Sequence, residues 1–209
     1  MAIKPILFNT EMVRAILDGR KTCTRRVVKP QWEECPHCKY VHNEYIYDKL
    51  AENVYCARCG YPLMPERRAP YQPGDILYVR ETWSEWTDGY LYKAWNSPFP
   101  QAGELPAMKW HPSIHMPKEA ARIWLKVTDV RVERLQDITE DGAKAEGANW
   151  KNGKNVGWEE KMRRTAIERF AKIWNSTIKK SDLDRYGWNA NPWVWAIEFE
   201  RCEKSEVVK

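Results

Sequence analysis

Lys4 to Phe8 reads as a short strand, and Met12, Val13, Ile16 and Leu17 then fall at helical spacing. That spacing predicts a helix over 11–18 with one face buried. Thr10 is the expected N-cap, with Glu11 in the first turn where the helix dipole favours an acid. Gly19 is the expected stop, since glycine takes the left-handed conformation that ends helices. A second strand follows to Val28, with Thr22, Thr24 and Arg26 on one face and Cys23 on the other, buried as a small apolar residue. Lys29-Pro30 ends it. Residues 74–83 read as a turn followed by one strand, whose faces are Ile76/Tyr78/Arg80 and Leu77/Val79/Glu81/Trp83. Apolar residues on both faces with a charge pair at the end suit a barrel that opens onto a site.

Residues 84–118 are rich in aromatics and prolines, with one strand expected at Tyr90–Trp95, and read as an irregular insertion or lid. Ile123 to Val132 alternates as a strand whose parity switches near Thr128-Asp129, which suggests a bulge. Thr139 caps a short helix carrying Glu140 and Asp141 in its first turn, and Gly147 closes it. Glu146 is thereby left in the last turn, where the dipole disfavours a carboxylate. A further helix spans Trp158 to about Ile178, with Met162, Ala166, Phe170, Ile173 and Trp174 facing inward. The last strand, Pro192 to Glu200, puts Trp193, Trp195, Ile197 and Phe199 on one face.

At 209 residues the chain can bury a real core, and one domain with insertions is the default. Its formal charge of +5 suits a nucleic-acid or nucleotide partner without requiring one. No stretch approaches the roughly eighteen apolar residues that cross a membrane. Met-Ala-Ile-Lys-Pro lacks the apolar core of a signal peptide, so a cytoplasmic protein without a membrane partner is expected. Twelve tryptophans and ten tyrosines supply core, and base-stacking surfaces draw on the same residues.

Cys35-Pro36-His37-Cys38 and Cys56-Ala57-Arg58-Cys59-Gly60 are two Cys-x-x-Cys knuckles at the separation of a zinc ribbon. Disulfides are disfavoured inside cells. Cys35, Cys38, Cys56 and Cys59 are therefore expected to bind Zn²⁺ as a closed, structural four-thiolate site. It would hold residues 31–65 together as a module too short for its own core. Lys39, His42, Lys49 and Arg58 within it are compatible with phosphate contacts but sparse. His111 and His115, near Lys109, lack a second ligand pair and are read as locally hydrogen-bonded.

Arg20-Lys21-Thr22-Cys23-Thr24-Arg25-Arg26 is the candidate functional stretch. A hydroxyl beside an amine, ringed by guanidinium groups, is either a nucleophile with its base or a cradle for an anion. The plain alternative is a solvated basic turn. Similarly, Lys161, Arg163, Arg164, Arg169 and Lys172 form a solubilising surface first and a phosphate-binding one second.

Gly19-Arg20-Lys21-Thr22-x-Thr24-x-Arg26, followed by Gly74-Asp75-x-Leu77 and a strand–helix–strand finish, resembles the ASCH domain. Pro112-Ser113-Ile114-His115-Met116-Pro117 and Val127-Thr128-Asp129-Val130-Arg131-Val132-Glu133-Arg134-Leu135 are similar to the longer ASCH proteins of bacteriophages and prophages. The resemblance implies an α+β fold, a small PUA-like β-barrel flanked by helices, built from residues 1–30 and 66–209. The zinc module of 31–65 is inserted into it. It also implies a partner that is RNA, a modified nucleoside or DNA, met in the host cytoplasm if the protein is phage-encoded.

Some compact members of that family remove the acetyl group from N4-acetylcytidine. By resemblance, the lysine and threonine of their turn fall on Lys21 and Thr24, their helix glutamate on Glu146, and the motif arginine on Arg26. Thr24 would attack the acetyl carbonyl, Lys21 would take its proton, and Glu146 would hand a proton to the departing nitrogen. Arg20, Arg26 and Arg80 are the candidate ligand-binding cations, and Trp83 is an aromatic wall for the pyrimidine. The alternatives are a non-catalytic nucleic-acid binder, in which the turn grips phosphate, and a phage–host adaptor. RNA cleavage, also proposed within the family, ranks behind deacetylation.

Overall fold

The computed structural model describes residues 1–29, 31, 34–40, 45–48, 53–63, 69–87, 89–94, 109–148 and 165–204. The expectations for Met162, the start of the helix at Trp158, the cations Lys161, Arg163 and Arg164, and His42 and Lys49 lie outside them. The fold is mixed α+β. Five strands form one sheet in the order β1 (Ile3–Leu7), β5 (Ile76–Arg80), β8 (Trp124–Arg134), β9 (Trp193–Cys202), β2 (Cys23–Val27). Hairpins β3 (Tyr45–Asp48)/β4 (Asn53–Cys56) and β6 (Trp83–Trp86)/β7 (Gly89–Tyr92) stand apart from that sheet. The five-stranded order runs from β1 at one edge to β2 at the other, and no pairing among the described residues closes it into a barrel. The chain divides into two compact units: Met1–Thr22, Pro73–Thr128 and Phe199–Lys209 form one, and Cys23–Gln72 with Asp129–Glu198 the other.

In the first unit, β1 runs parallel to β5 and β5 antiparallel to the start of β8. Asp75, just before β5, is buried and accepts the Ala2 amide at 2.9 Å and the Lys4 ammonium at 2.7 Å. The aspartate of the Gly-Asp-x-Leu motif thus staples the first strand to the third of the sheet's chain segments. Gly74 precedes it at φ +88°, a conformation that favours glycine. Helix α1 (Thr10–Leu17) is capped by Asn9, whose Oδ1 accepts the Met12 amide, rather than by Thr10. Asn and Thr are both good caps, and the choice falls one residue earlier. Gly19 ends the helix at φ +70°, as its position suggests.

The expected single strand over 76–83 is two. β5 stops at Arg80, Glu81-Thr82 are not strand, and Trp83 begins the β6/β7 hairpin. The cause is Glu81. Its side chain is 1% exposed and takes two hydrogen bonds from Arg122, Nε at 2.8 Å and Nη2 at 2.9 Å, while its amide meets the Met116 sulfur. The Arg122 guanidinium lies 4.2 Å from the centroid of the Tyr92 ring. Within 84–118 the described residues include the rest of the hairpin, with β7 where a strand was expected at Tyr90–Trp95, and a short 3₁₀ turn, Ser113–His115; a second, Lys118–Ala120, follows.

In the second unit, β2 runs antiparallel to β9, with Thr24 opposite Ile197 and Arg26 opposite Trp195. Burial on β8 changes parity between Val127 and Val130. Helix α2 (Glu140–Ala145) is capped by Thr139, and Gly147 turns the chain away at φ +86°. Helix α3 (Ala166–Thr177) begins at a capping box of Thr165 and Glu168, so residue 165 is a helix boundary rather than the interior of one helix from 158. A short helix α4 (Leu183–Tyr186) follows. Leu135, Ile138, Ala143, Phe170, Trp174 and Val194 form the core here. Ile173 is 36% exposed, not inward-facing. Strand β9 is buried on both faces, Val194 and Ala196 included.

The Glu81–Arg122 pair generates an asymmetric expectation. Breaking a buried ion pair from one side costs about 3–5 kcal/mol, because the survivor is uncompensated. Arg122 retains 24% exposure and can turn to water, whereas Glu81 cannot. Arg122→Met should therefore destabilise more than Glu81→Gln, toward about 5 against about 3 kcal/mol, read as the urea midpoint at constant slope.

Candidate functional site

Two sets of residues could carry chemistry. The first is the pair of knuckles, which are built alike. Lys39 N–H donates to Cys35 O at 2.9 Å and Gly60 N–H to Cys56 O at 2.8 Å, while the Cys35 and Cys56 amides reach back to Tyr40 and Tyr61. The residue after each second cysteine is left-handed, Lys39 at φ +57° and Gly60 at φ +68°. The β3/β4 hairpin delivers Cys56 opposite Tyr45, and His37 stacks on Tyr61 across the two knuckles at 5.2 Å. The four Sγ atoms all lie within 4.8 Å of one another.

This set can hold a metal ion. Ligands at about 2.3 Å around a tetrahedral centre stand about 3.8 Å apart, and Cys35–Cys59 and Cys38–Cys56 are each at 3.7 Å. The electrostatics agree. Burial would push the Cys35 thiol up, but the Cys38 and His37 amides outweigh it and bring it down to about 7. Burial pushes Cys59 up to about 12. Four sulfurs packed this closely cannot all ionise without a cation among them.

The second set surrounds β2. Lys21, Thr24 and Glu146 are 2%, 3% and 8% exposed. Lys21 belongs to the first unit, where its ammonium lies 5.6 Å from the centroid of the Phe8 ring. Thr24 and Glu146 belong to the second. Glu146 caps the C-terminus of α2, and the charge that compensates it there is Arg25, with Nη1 to Oε1 at 3.2 Å.

Arg25 also sends Nε and Nη2 to Glu133 Oε1 at 2.7 and 2.6 Å. Arg131 Nε holds the other oxygen of Glu133 at 3.0 Å and pairs in turn with Asp129 and Glu198. Burial alone would lower the Arg25 guanidinium, but the charges of Glu146, Cys23 and Glu133 hold it above its ordinary value. Burial draws Arg26 below its ordinary value, against the opposing charges of Tyr71 and Glu146. Arg25 and Glu133 are the residues that the sequence reading passed over. The signal was present: Arg25 shares a strand face with Cys23, which was itself expected to be buried.

The remaining candidates have other partners. Arg20 pairs with Asp18 at 2.8 Å. Arg80 donates to the backbone carbonyls of Met116, at 2.9 Å, and Ile114. Trp83 is 5% exposed in a core cluster with Ile76, Met116 and Trp124, its ring 5.0 Å from His111 and 5.5 Å from Tyr90. No helix of the described residues is long and apolar enough to cross a membrane.

No family model and no curated protein matches the chain. Similar solved structures include a hypothetical protein, PH0355, at 14% identity and TM-score 0.38, covering 97% of this chain and 100% of that one. An ASCH domain from Lactobacillus crispatus is similar at 12% identity and TM-score 0.38, covering 96% of this chain and 79% of that one. Neither likeness, at these values, assigns an activity.

The knuckles make two predictions. The protein should carry one metal ion per chain. Its uptake by the metal-free form should release protons, and its affinity should fall as pH is lowered from 8 to 5, because the thiols must lose their protons to bind. Competition with a chromophoric chelator across that range measures this. Lys39→Gly should raise the thermal transition of the metal-loaded protein, by about 1 kcal/mol, since it relieves a left-handed lysine.

Proposed function

We propose that this chain is an ASCH-domain protein that binds RNA or a modified cytidine and removes the acetyl group of N4-acetylcytidine. The observation that supports this reading is that Lys21, Thr24 and Glu146, each within its own unit, are all buried polar side chains. Withdrawing an amine and a carboxylate from water is costly, and the resemblance to the ASCH domain places its catalytic roles on these same three. In the proposed reaction the Thr24 hydroxyl adds to the acetyl carbonyl and its proton passes to Lys21. Glu146, entering the cycle as the neutral acid, then gives its proton to the departing exocyclic nitrogen, releasing cytidine; water cleaves the acetyl–threonine ester to acetate, one of its protons returning to Glu146 while the Lys21 proton goes back to the Thr24 oxygen. Arg26 is the cation assigned to the oxyanion.

The metal in this reading is Zn²⁺ and structural. Four thiolates leave no open coordination position, so the ion holds residues 31–65 as a separate inserted module and takes no part in hydrolysis. That module carries five acidic residues against three of lysine and arginine. The net positive charge of the chain therefore resides in the remainder, and RNA is assigned to it rather than to the module. The cytoplasm is the assigned compartment.

Incubation with N4-acetylcytidine should release cytidine, and Lys21→Ala and Thr24→Ala should each lower turnover at least ~100-fold with the fold retained. Turnover unchanged in both variants overturns the assignment. Salt-dependent RNA binding without cytidine release identifies a non-catalytic binder.

A further inference from the structure

The guanidinium of Arg25 has more partners than a merely neutralised charge requires. Its side chain is 2% exposed. One edge is fixed by Nε and Nη2 on Glu133 Oε1, and Nη1 reaches Glu146 Oε1 at 3.2 Å and the Cys23 sulfur at 3.8 Å. Its carbon stands 5.8 Å from the centroid of the Phe170 ring. On the α2 side it passes Gly142, where an added Cβ would come within 3.3 Å of Nη2. Glu133 is itself held from behind by Arg131. Strand β2, strand β8, α2 and α3 thus converge on one rigid planar group.

We infer that Arg25, anchored by Glu133, is a positioning residue that fixes the direction of the Glu146 carboxylate. This inference rests on the proposed role of Glu146 and adds the device that aims it. Glu146 sits at the end of α2, where the dipole repels a carboxylate, and a glutamate has three side-chain torsions with which to turn away. A group that passes a proton must be held within about 0.5 Å of its productive place, and a misplacement of about 1 Å can cost 10²-fold in rate. A planar fork can hold two carboxylates at once, whereas an ammonium on a flexible stem cannot.

The test uses Arg25→Lys, Arg25→Ala and Glu133→Gln in the full-length protein, with N4-acetylcytidine as substrate and circular dichroism as the check on fold. Glu133→Gln leaves every group on Arg25 and Glu146 in place, so it remains informative if the Arg25 variants fail to fold. A second readout does not depend on turnover: carbodiimide-driven labelling of Glu146, read by mass spectrometry.

Arg25→Lys and Glu133→Gln should each raise labelling of Glu146 several-fold and lower kcat by roughly 10–100-fold with KM unchanged. Millimolar guanidinium ion should restore part of the kcat of Arg25→Ala. Labelling and kcat that stay at the wild-type level in both substitutions overturn the inference. If wild type releases no cytidine, the enzymatic reading falls, and labelling alone then decides whether Arg25 aims Glu146.

Discussion

Burying a guanidinium costs several kcal/mol unless its partners arrive with it, and Arg25 meets that condition through carboxylates distant in sequence, Glu133 and Glu146. The second unit's core is arranged around this group. Phe170 from α3 covers its face, α2 gives up a side chain at Gly142 to make room, and Arg131 continues the alternation of charge to Asp129 and Glu198. A network of this kind contributes little net stability compared with apolar packing of the same volume.

The knuckle module meets the same difficulty by other means. Around the knuckles Val54, Leu63, Cys35 and Cys56 are buried. Its four sulfurs stand at the spacing of a tetrahedral centre, a set that a metal ion can satisfy. In one unit, then, ordering comes from charges satisfied by one another and from thiols that a cation can satisfy.

Much of this was legible in the chain because it depends on local patterning. Alternation marks β1, β2, β8 and β9, Gly19 and Gly147 mark helix ends, and the cysteine spacing marks the knuckles. Where the reading failed, the deciding partner was far away. The alternation of Val79, Glu81 and Trp83 continues through a break that exists because Glu81 turns to Arg122, 41 positions on. Glu146 stood out from its unfavourable place at a helix end, yet its partner lies 121 positions earlier. Two misses were local. Asn9 and Thr10 compete as caps side by side, and Thr165-x-x-Glu168 spells a helix start inside a run whose apolar spacing reads as continuous.

Lys39 and Gly60 occupy equivalent places in the two knuckles, and they do not make those places equally accessible. An unfolded chain visits the left-handed region readily at a glycine, while a lysine enters it at a cost of about 1–2 kcal/mol. The same bend is therefore the cheaper one to make at Cys56/Cys59 and the dearer one at Cys35/Cys38, by the presence of one Cβ.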